Sequence, residues 1–276
     1  MVISAAFIVP HGALILDALP SHKDGRYELH QAMVLVAKQI ADLKPDLILV
    51  TSPHGISLSS DFGFYFNESA QGTAEWENEY QEYQVDVKID LDFTKEVYDY
   101  LKATQQWVSM ITAFSRSVPI PLRWGESVPL WFLRDIPNLK YVFLSQPQKR
   151  YELSSDFEKE TISISKQITE FIHHHKKKVI VLISADLAHT HQKNGPYGYY
   201  EYAENVDLYF EQWMKSLGKT LISSEKREEI KKALCCGYTG FLMLHGMLLD
   251  SKFKRNVITR QIPTYYGMMV ASFLPE

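Results

Sequence analysis

The feature that most constrains the fold is a short phrase that occurs twice, an apolar run that ends in Pro-His-Gly. The first run, Ala5–Val9, leads into residues 10–12, and the second, Leu47–Ser52, leads into residues 53–55. Each run has the composition of a buried strand. Proline has no N–H group and ends a strand, while glycine lets the backbone turn sharply beside the histidine. The repeat therefore predicts two strands that each deliver a histidine at the carboxyl end.

A third apolar run, Val179–Ser184, is followed by Asp186 and then by His189. In open α/β sheets, ligands bind at the edge formed by the carboxyl ends of the strands. We therefore expect the imidazoles of His11, His54 and His189 to meet in one site at that edge.

The chain between the two Pro-His-Gly sequences predicts a strand–helix–strand unit. Apolar residues recur at helical spacing over Tyr27–Leu43, and this helix ends before the second strand begins. Such a unit is typical of a parallel sheet. Two further runs, Val257–Ile262 and Met268–Phe273, predict a strand pair that closes the sheet. We expect one α/β domain over residues 1–276, with a central mostly parallel or mixed sheet flanked by helices.

The middle of the chain is less regular. Residues Gly72–Gln84 are acidic, polar and aromatic, and they predict an excursion over the surface. The aromatic loop Phe62–Tyr83, together with Trp124, favours a flat ligand. Prolines and a glycine then break the chain repeatedly before a short helix that we expect to start within Val128–Leu133.

Composition excludes several classes of function. The 276 residues carry a net charge of −4, which does not favour nucleic acid or an anionic membrane as a partner. No apolar run approaches the roughly 20 residues of a membrane-spanning helix, and the N-terminus lacks the pattern of a signal peptide. The two cysteines are adjacent, which excludes a disulfide framework and favours a reducing compartment, hence the cytoplasm.

Histidine is the commonest ligand of transition metals in proteins, because its neutral nitrogen suits Fe, Zn and Cu. A single histidine after a strand is more often structural than a ligand. Two identical turns at two strand ends, however, need a common reason. Bringing His11 and His54 to one metal ion is the best reason that the residues offer.

These motifs also resemble a family. Three segments resemble class III (LigB-type) extradiol ring-cleavage dioxygenases. They are the phrase at residues 10–12, the sequence Lys-Pro-Asp-Leu-Ile-Leu-Val-Thr-Ser-Pro-His-Gly at residues 44–55, and Ile-Ser-Ala-Asp-Leu-Ala-His at residues 183–189. They equally resemble the Memo-type relatives of these enzymes. The resemblance implies a LigB/Memo-like fold and a non-haem Fe(II) held by His11 and His54, with Cu or Zn as alternatives. It also implies a small aromatic substrate, O₂ as co-substrate, and a homodimer as one possible assembly.

The third ligand departs from the ring-cleaving enzymes. Their glutamate has no counterpart in residues 234–238, where Cys236 matches the Cys-Gly of the Memo relatives. A thiolate is softer than a carboxylate and favours Cu(I) or Zn(II) more strongly. The alternative role for Cys236 is that of a small buried apolar residue. Three carboxylates elsewhere are candidates for a substitute third ligand: Glu126, Glu201 and Glu204. The more usual role of such residues is on a helix surface or as a helix cap.

The resemblance also assigns the other site residues. His189 matches the family's acid–base histidine, and Asp186 orients it or lines the site. The family carries Asp-His-Gly where this chain has Arg123 and Trp124 before a glycine. Trp124 transfers no proton and can only stack or fill space, while Arg123 either holds a carboxylate or a phenolate or is a surface charge. Tyr238 lies beside the cysteine in sequence and is a further candidate for binding the substrate.

Three functions follow from this reading. The first is a metal-dependent oxidoreductase of the extradiol type, which opens a catechol-like or aminophenol-like ring with O₂. The second is a Memo-like protein that binds Fe or Cu through His11, His54 and Cys236 for redox or partner-binding work, without ring cleavage. The third is a zinc hydrolase in which His189 activates a metal-bound water.

Overall fold

All of the strands join one mixed sheet, which is seen in a computed structural model that describes residues 3–149, 155–216, 224–249 and 251–276. Its eleven strands are β1 (Ile3–Val9), β2 (Leu47–Ser52), β3 (Phe62–Tyr65), β4 (Ser69–Thr73), β5 (Gln84–Ile89), β6 (Val108–Ile111), β7 (Ile120–Leu122), β8 (Lys140–Ser145), β9 (Val179–Ser184), β10 (Phe253–Gln261) and β11 (Met268–Pro275). The α-helices of the described ranges are α1 (Arg26–Leu43), α2 (Leu91–Ala103), α3 (Trp124–Trp131), α4 (Phe157–His174), α5 (Ala203–Ser216), α6 (Ser224–Lys232) and α7 (Tyr238–Leu248).

The centre of the sheet consists of β1, β9, β2 and β8, which are parallel neighbours in that order. Their carboxyl ends consequently form one edge of the sheet. The strands are buried on both faces, which explains their nearly continuous apolar sequences. The predicted α/β fold with a mixed sheet is confirmed.

Antiparallel strands complete the sheet on one side. The predicted pair at the end of the chain is β10 and β11, and β11 lies antiparallel to β1. On the other side the sheet divides at β8, whose first residues pair with β5 and whose last residues pair with β3. Beyond β5 lie β4 and β7, and β6 pairs with β3.

Helices cover both faces. On one face, α2, α4, α5 and α7 pack against alternate residues of the central strands, such as Val181 and Ile183. On the other face, α1 and α3 pack against the intervening residues, such as Ile180 and Leu182. Among the described helices, none is both long enough and apolar enough to cross a membrane.

Two predictions about the middle of the chain were wrong in detail. The predicted surface excursion Gly72–Gln84 begins inside β4 and ends at the first residue of β5, so that residues 74–83 form a loop between two paired strands. The short helix begins at Trp124, four residues before its predicted start. The reason is the side chain of Glu126, which accepts a hydrogen bond from the backbone N–H of Arg123 at 3.0 Å and caps the first turn.

Candidate metal centre

His11, His54 and Cys236 come together at the carboxyl edge of the sheet. One possible ligand atom from each residue lies within 4.8 Å of the others. His11 and His54 follow β1 and β2, and their ring centroids are 4.8 Å apart at an interplanar angle of 88°. Cys236 lies just before α7, and its Sγ is 3.5 Å from Nε2 of His11. Two nitrogens and one sulfur therefore face a common point.

The ring of His11 is oriented by a chain of buried polar groups. Its Nδ1 lies 2.9 Å from Oγ of Ser184, and that hydroxyl donates its single proton to the carbonyl of Gly125. Ser184 Oγ must therefore accept from Nδ1–H of His11. This tautomer leaves the lone pair on Nε2, which is the nitrogen that faces Cys236. The Gly125 carbonyl has room for the serine because Pro129, four residues later in α3, has no N–H to donate.

His54 is held between α3 and the strand from which it emerges. Its ring stacks on that of Trp124, with centroids 5.2 Å apart and planes inclined by 24°. Gly125 permits this approach, because a Cβ at that position would lie 2.7 Å from Cβ of His54 and 2.6 Å from Oγ of Ser52. The start of α3 is consequently fixed against the second Pro-His-Gly turn.

The buried carboxyl group of Glu126 supports the turn that carries His54. Glu126 is 2% exposed and accepts hydrogen bonds from Arg123 N–H and from the hydroxyl of Tyr65. The Tyr65 oxygen in turn accepts the N–H of Ile56 at 2.6 Å. Burial, the largest cause, raises the pKa of Glu126 to about 7. Glu126 is thus the cap of α3 and a support of the His54 turn, and it does not share the cluster of ligand atoms.

Cys236 is positioned by the close approach of α7 to the end of β9. A Cβ at Gly237 would lie 2.7 Å from the carbonyl oxygen of Asp186, and Gly237 N–H donates to that oxygen at 3.0 Å. The Cys236 thiol lies 3.6 Å from the same carbonyl. Burial, and then the nearby Asp186, raise the pKa of this thiol well above its ordinary value.

Asp186 contacts His11 through both of its carboxyl oxygens. Oδ1 accepts the backbone N–H of His11 at 3.2 Å, and Oδ2 lies 3.1 Å from Nε2 of the ring. Burial, the largest cause, raises the pKa of Asp186 to about 8 and also lowers the pKa of His11 well below its ordinary value. Both shifts favour the uncharged forms of the two groups.

His189 lies in the same site without joining the cluster of ligand atoms. Its Nδ1 lies 2.9 Å from the carbonyl oxygen of Leu187, and its ring stacks on Tyr266 with centroids 5.3 Å apart. Burial, the largest cause, lowers the pKa of His189 to about 4. His189 is therefore neutral at neutral pH, and a neutral imidazole nitrogen can accept a hydrogen bond from a ligand.

A cavity of about 270 Å³, called the aromatic cavity below, opens beside these groups. It is lined by His11, Gly12, Ala13, His54, Trp76, Trp124, Asp186, His189, Tyr197, Leu234, Tyr265 and Tyr266. The structure thus brings together the three predicted histidines, Asp186 and Trp124.

Arg123 and Tyr238 lie elsewhere. The guanidinium of Arg123 lies 5.7 Å from the ring centroid of Trp124 in a neighbouring groove. Tyr238 lines a second cavity of about 650 Å³, where its hydroxyl donates to Glu158 at 3.2 Å. His54 and Cys236 also line this second cavity, so the cluster of ligand atoms lies between two spaces.

Sequence reasoning missed several residues of the site. Ser184 ends an apolar strand, and only the fold shows that its hydroxyl reaches His11. Trp76, by contrast, belongs to the aromatic loop Phe62–Tyr83 that the sequence indicated, and it lines the aromatic cavity. Tyr265 and Tyr266 belong to the turn between the last two strands and follow no motif. The Tyr266 hydroxyl lies so close to Gly12 that a Cβ there would be 2.5 Å from it.

The remaining carboxylates that the sequence offered as ligands have other partners or positions. Glu204 forms an ion pair with Arg260 at 2.8 Å, and it belongs to a second group of possible ligand atoms together with His191 and Asp207. That group is already paired, because His191 Nε2 lies 2.9 Å from Asp207 and Arg260 also binds Glu211. Glu201 is exposed in the turn before α5.

The donor set of the first cluster fits a transition metal. Two imidazole nitrogens and a thiol are ligands that Fe, Cu and Zn accept, whereas Mg²⁺ and Ca²⁺ require oxygen. Nε2 of His11 has a lone pair because Ser184 fixes the proton on Nδ1. A cation between the donors also offers the buried thiol of Cys236 the positive charge that a thiolate requires.

Comparisons with known proteins identify the family of the chain and a structure of similar fold. A family model described as the catalytic LigB subunit of aromatic ring-opening dioxygenase matches residues 5–273. Protein CA_C1420 of Clostridium acetobutylicum is 21% identical over 277 aligned residues, which cover 98% of this chain and 57% of that protein. The crystal structure of uncharacterized protein JW3007 from Escherichia coli K12 has a TM-score of 0.59 at 12% identity, over 98% of this chain and 99% of its own, which is a likeness of fold alone.

Proposed function

The chain belongs to the LigB family, and from this membership we propose that it is a non-haem metal-dependent oxidoreductase of the extradiol type. Its substrate is a small catechol-like or aminophenol-like ring, its co-substrate is O₂, and it works in the cytoplasm. The observation that carries the proposal is the convergence of His11, His54 and Cys236 beside a cavity that is lined by His11, His54 and His189.

The chain's own residues supply the ligands and the proton acceptor. His11, His54 and Cys236 hold the metal, which is Fe(II) in this proposal. Bound Fe(II) supplies a Lewis acid for the diol and an electron donor for O₂. His189 is neutral at neutral pH and faces the cavity, so it accepts the proton of a phenolic hydroxyl and returns it later. Trp124 forms a flat wall beside His54 and excludes water from one side.

One observation favours a second function, which is that of a Memo-like metal-binding protein without ring cleavage. The third donor is the thiol of Cys236, and Trp124 stands where the ring-cleaving enzymes carry a histidine. A thiolate favours Cu(I) and is itself open to oxidation. In this reading the protein binds Fe or Cu for redox or partner-binding work.

Metal analysis of the protein purified without oxygen, followed by O₂ uptake with a catechol, separates these functions. Iron in the protein together with O₂ uptake supports the extradiol enzyme. Copper or iron without catechol turnover supports the Memo-like function. Zinc together with esterase or amidase activity contradicts both and points to a hydrolase.

The variant Cys236→Ser tests the ligand set. We expect it to lower metal content, because a neutral hydroxyl is a poor ligand for a soft metal. The matched control is Cys235→Ser, since Cys235 is the adjacent buried cysteine and lies outside the cluster. Equal metal content in the two variants removes Cys236 from the ligand set.

A further inference from the structure

We propose that the aromatic cavity selects rings that bear a cationic substituent and rejects rings that bear a carboxylate. This inference rests on the proposed function and adds to it the charge of the substrate. It is carried by the residues around the cavity and by the loop beside its mouth.

The walls of the aromatic cavity favour a cation. Its lining residues, within the described ranges of the chain, include five Trp and Tyr side chains and no Lys or Arg. The rings of Trp76 and Trp124 meet edge to face, with centroids 4.8 Å apart. Aromatic faces attract ammonium groups through the ring quadrupole. A carboxylate in this space meets no side-chain cation among the lining residues.

The loop that delivers Trp76 adds negative charge. Residues 74–83, called the acidic loop, connect β4 to β5 and contain four glutamates and no Lys or Arg. The glutamates are exposed: Glu75, Glu77, Glu79 and Glu82. The charge of the loop reaches the cavity, because Glu77 follows burial and Tyr197 among the causes that raise the pKa of Tyr265. Charge of one sign beside a cleft concentrates ligands of the opposite sign.

Arg123, a basic side chain in the neighbouring groove, has acidic neighbours. Arg123 is exposed and lies in a separate groove of about 330 Å³, which it shares with Glu75 and Glu77. One guanidinium therefore faces two carboxylates. The charge of Arg123 also reaches the cavity, because Arg123 is among the causes that lower the pKa of His54. The two glutamates oppose the attraction that Arg123 exerts on a carboxylate.

Calorimetric titration with two matched pairs of ligands tests the proposal. The first pair, dopamine and 3,4-dihydroxyphenylacetate, is titrated into Fe(II)-loaded protein under nitrogen. The second pair, tyramine and 4-hydroxyphenylacetate, lacks the diol and is titrated into the metal-free protein. We expect the amine to bind more tightly in both pairs, by about tenfold at low ionic strength, with a smaller ratio at high salt.

The double variant Glu75→Gln/Glu77→Gln assigns the preference to the acidic loop. We expect it to reduce the ratio of the two affinities by about threefold, since exposed charges act weakly through solvent. The matched control is Asp42→Asn/Asp135→Asn, which removes the same charge from exposed positions at the amino edge of the sheet. Glutamine at position 75 keeps the oxygen that accepts the N–H of Asn78.

The outcomes separate this inference from the proposed function. Tighter binding of tyramine without binding of either catechol supports the charge preference and contradicts the diol site. Equal or tighter binding of 3,4-dihydroxyphenylacetate overturns the charge preference and leaves the extradiol function intact. Failure of all four ligands to bind overturns both. A control variant that lowers the ratio as much as the loop variant also overturns the role of the acidic loop.

Discussion

The proton of His11 is placed by a residue that is not a ligand. Ser184 accepts from Nδ1 and donates to Gly125, so Nε2 is left with its lone pair toward Cys236. Hydrogen bonds of this kind orient ligating histidines and raise their basicity. The geometry of the chain therefore prepares His11 for a metal before any metal binds.

We predict that Ser184→Ala lowers metal affinity by about 10- to 100-fold, because His11 loses the acceptor that fixes its tautomer. Competition with a chromophoric chelator measures the affinity. The ¹⁵N chemical shifts of His11 in the metal-free protein report the tautomer directly. We expect these shifts to move toward a mixture of the two neutral forms.

Ser145→Ala is the control for this prediction. Ser145 ends the neighbouring strand β8, is equally buried, and has an Oγ without a hydrogen-bond partner among the described residues. Its removal is expected to leave the His11 shifts and the metal affinity unchanged. If Ser184→Ala also leaves both unchanged, Ser184 does not set the tautomer.

Glu126 makes the stability of the protein depend on pH. Burial raises its pKa from 4.5 to about 7, so the folded state binds this proton more tightly than the unfolded chain. The stabilising contribution is complete below pH 4.5 and is lost as the pH rises through 7. We expect Glu126→Gln to remove up to about 3 kcal/mol of this dependence.

Thermal unfolding of the metal-free protein at about pH 5.5 and about pH 8 measures the effect. The melting temperature of the parent protein is expected to fall more over this interval than that of Glu126→Gln. Asp186, whose pKa is also raised by burial, contributes to both proteins and cancels in the comparison. Exposed Glu28→Gln is the control and should behave like the parent. Parallel behaviour of all three proteins contradicts the prediction.

The sequence predicted the histidines of the site, because each follows an apolar strand and parallel strands share one edge. It did not predict Ser184 as a partner of His11, since that contact depends on the register of β1 against β9. Tyr266 was equally hidden, because nothing in a turn between two strands indicates which of its side chains will face a distant glycine.

Among the elements, α3 has the greatest effect on the site. Its first turn supplies Trp124 as a wall, the Gly125 carbonyl as an acceptor and Glu126 as a support. Its interior Pro129 keeps that carbonyl available, which is an exception to the usual disadvantage of proline in a helix.

We predict that Gly125→Ala displaces α3 from the second Pro-His-Gly turn. The new Cβ would lie 2.7 Å from Cβ of His54, and overpacking of this kind costs about 1–3 kcal/mol. Metal affinity is expected to fall together with stability, as measured by chelator competition and by denaturant unfolding. Ser127→Ala, in the same helix, removes a buried hydroxyl that has no partner among the described residues and should preserve both quantities. Retention of full metal affinity in Gly125→Ala contradicts this role of α3.

The apolar elements were predictable and the polar ones were not. The four central strands are buried on both faces and therefore stand out in the sequence. By contrast, β4 has the sequence Ser-Ala-Gln-Gly-Thr and lies half exposed, so its apolar content gives no signal. Every second residue of β5 is buried, which is the alternation of a strand, but no strand was predicted beyond the surface excursion that ends at Gln84.

For the molecule as a whole, the parallel centre of the sheet places the candidate site at one edge and structural contacts at the other. The carboxyl edge carries the histidines and the thiol, while the amino edge carries ordinary supports such as Asp90, which caps α2 and pairs with Lys177. Fold class followed from the sequence because two strand–turn phrases already require this arrangement. The charge around the aromatic cavity did not follow, because it depends on which loop lies beside the opening.

The cluster of His11, His54 and Cys236 lies between two cavities, since His11 and His54 line the aromatic cavity while His54 and Cys236 line the second one. A bulky ring that fills the smaller, aromatic cavity leaves the larger cavity free for a second ligand such as a dissolved gas. Under the proposed function, two reactants could then reach the cluster from different cavities, and their order of binding need not be fixed.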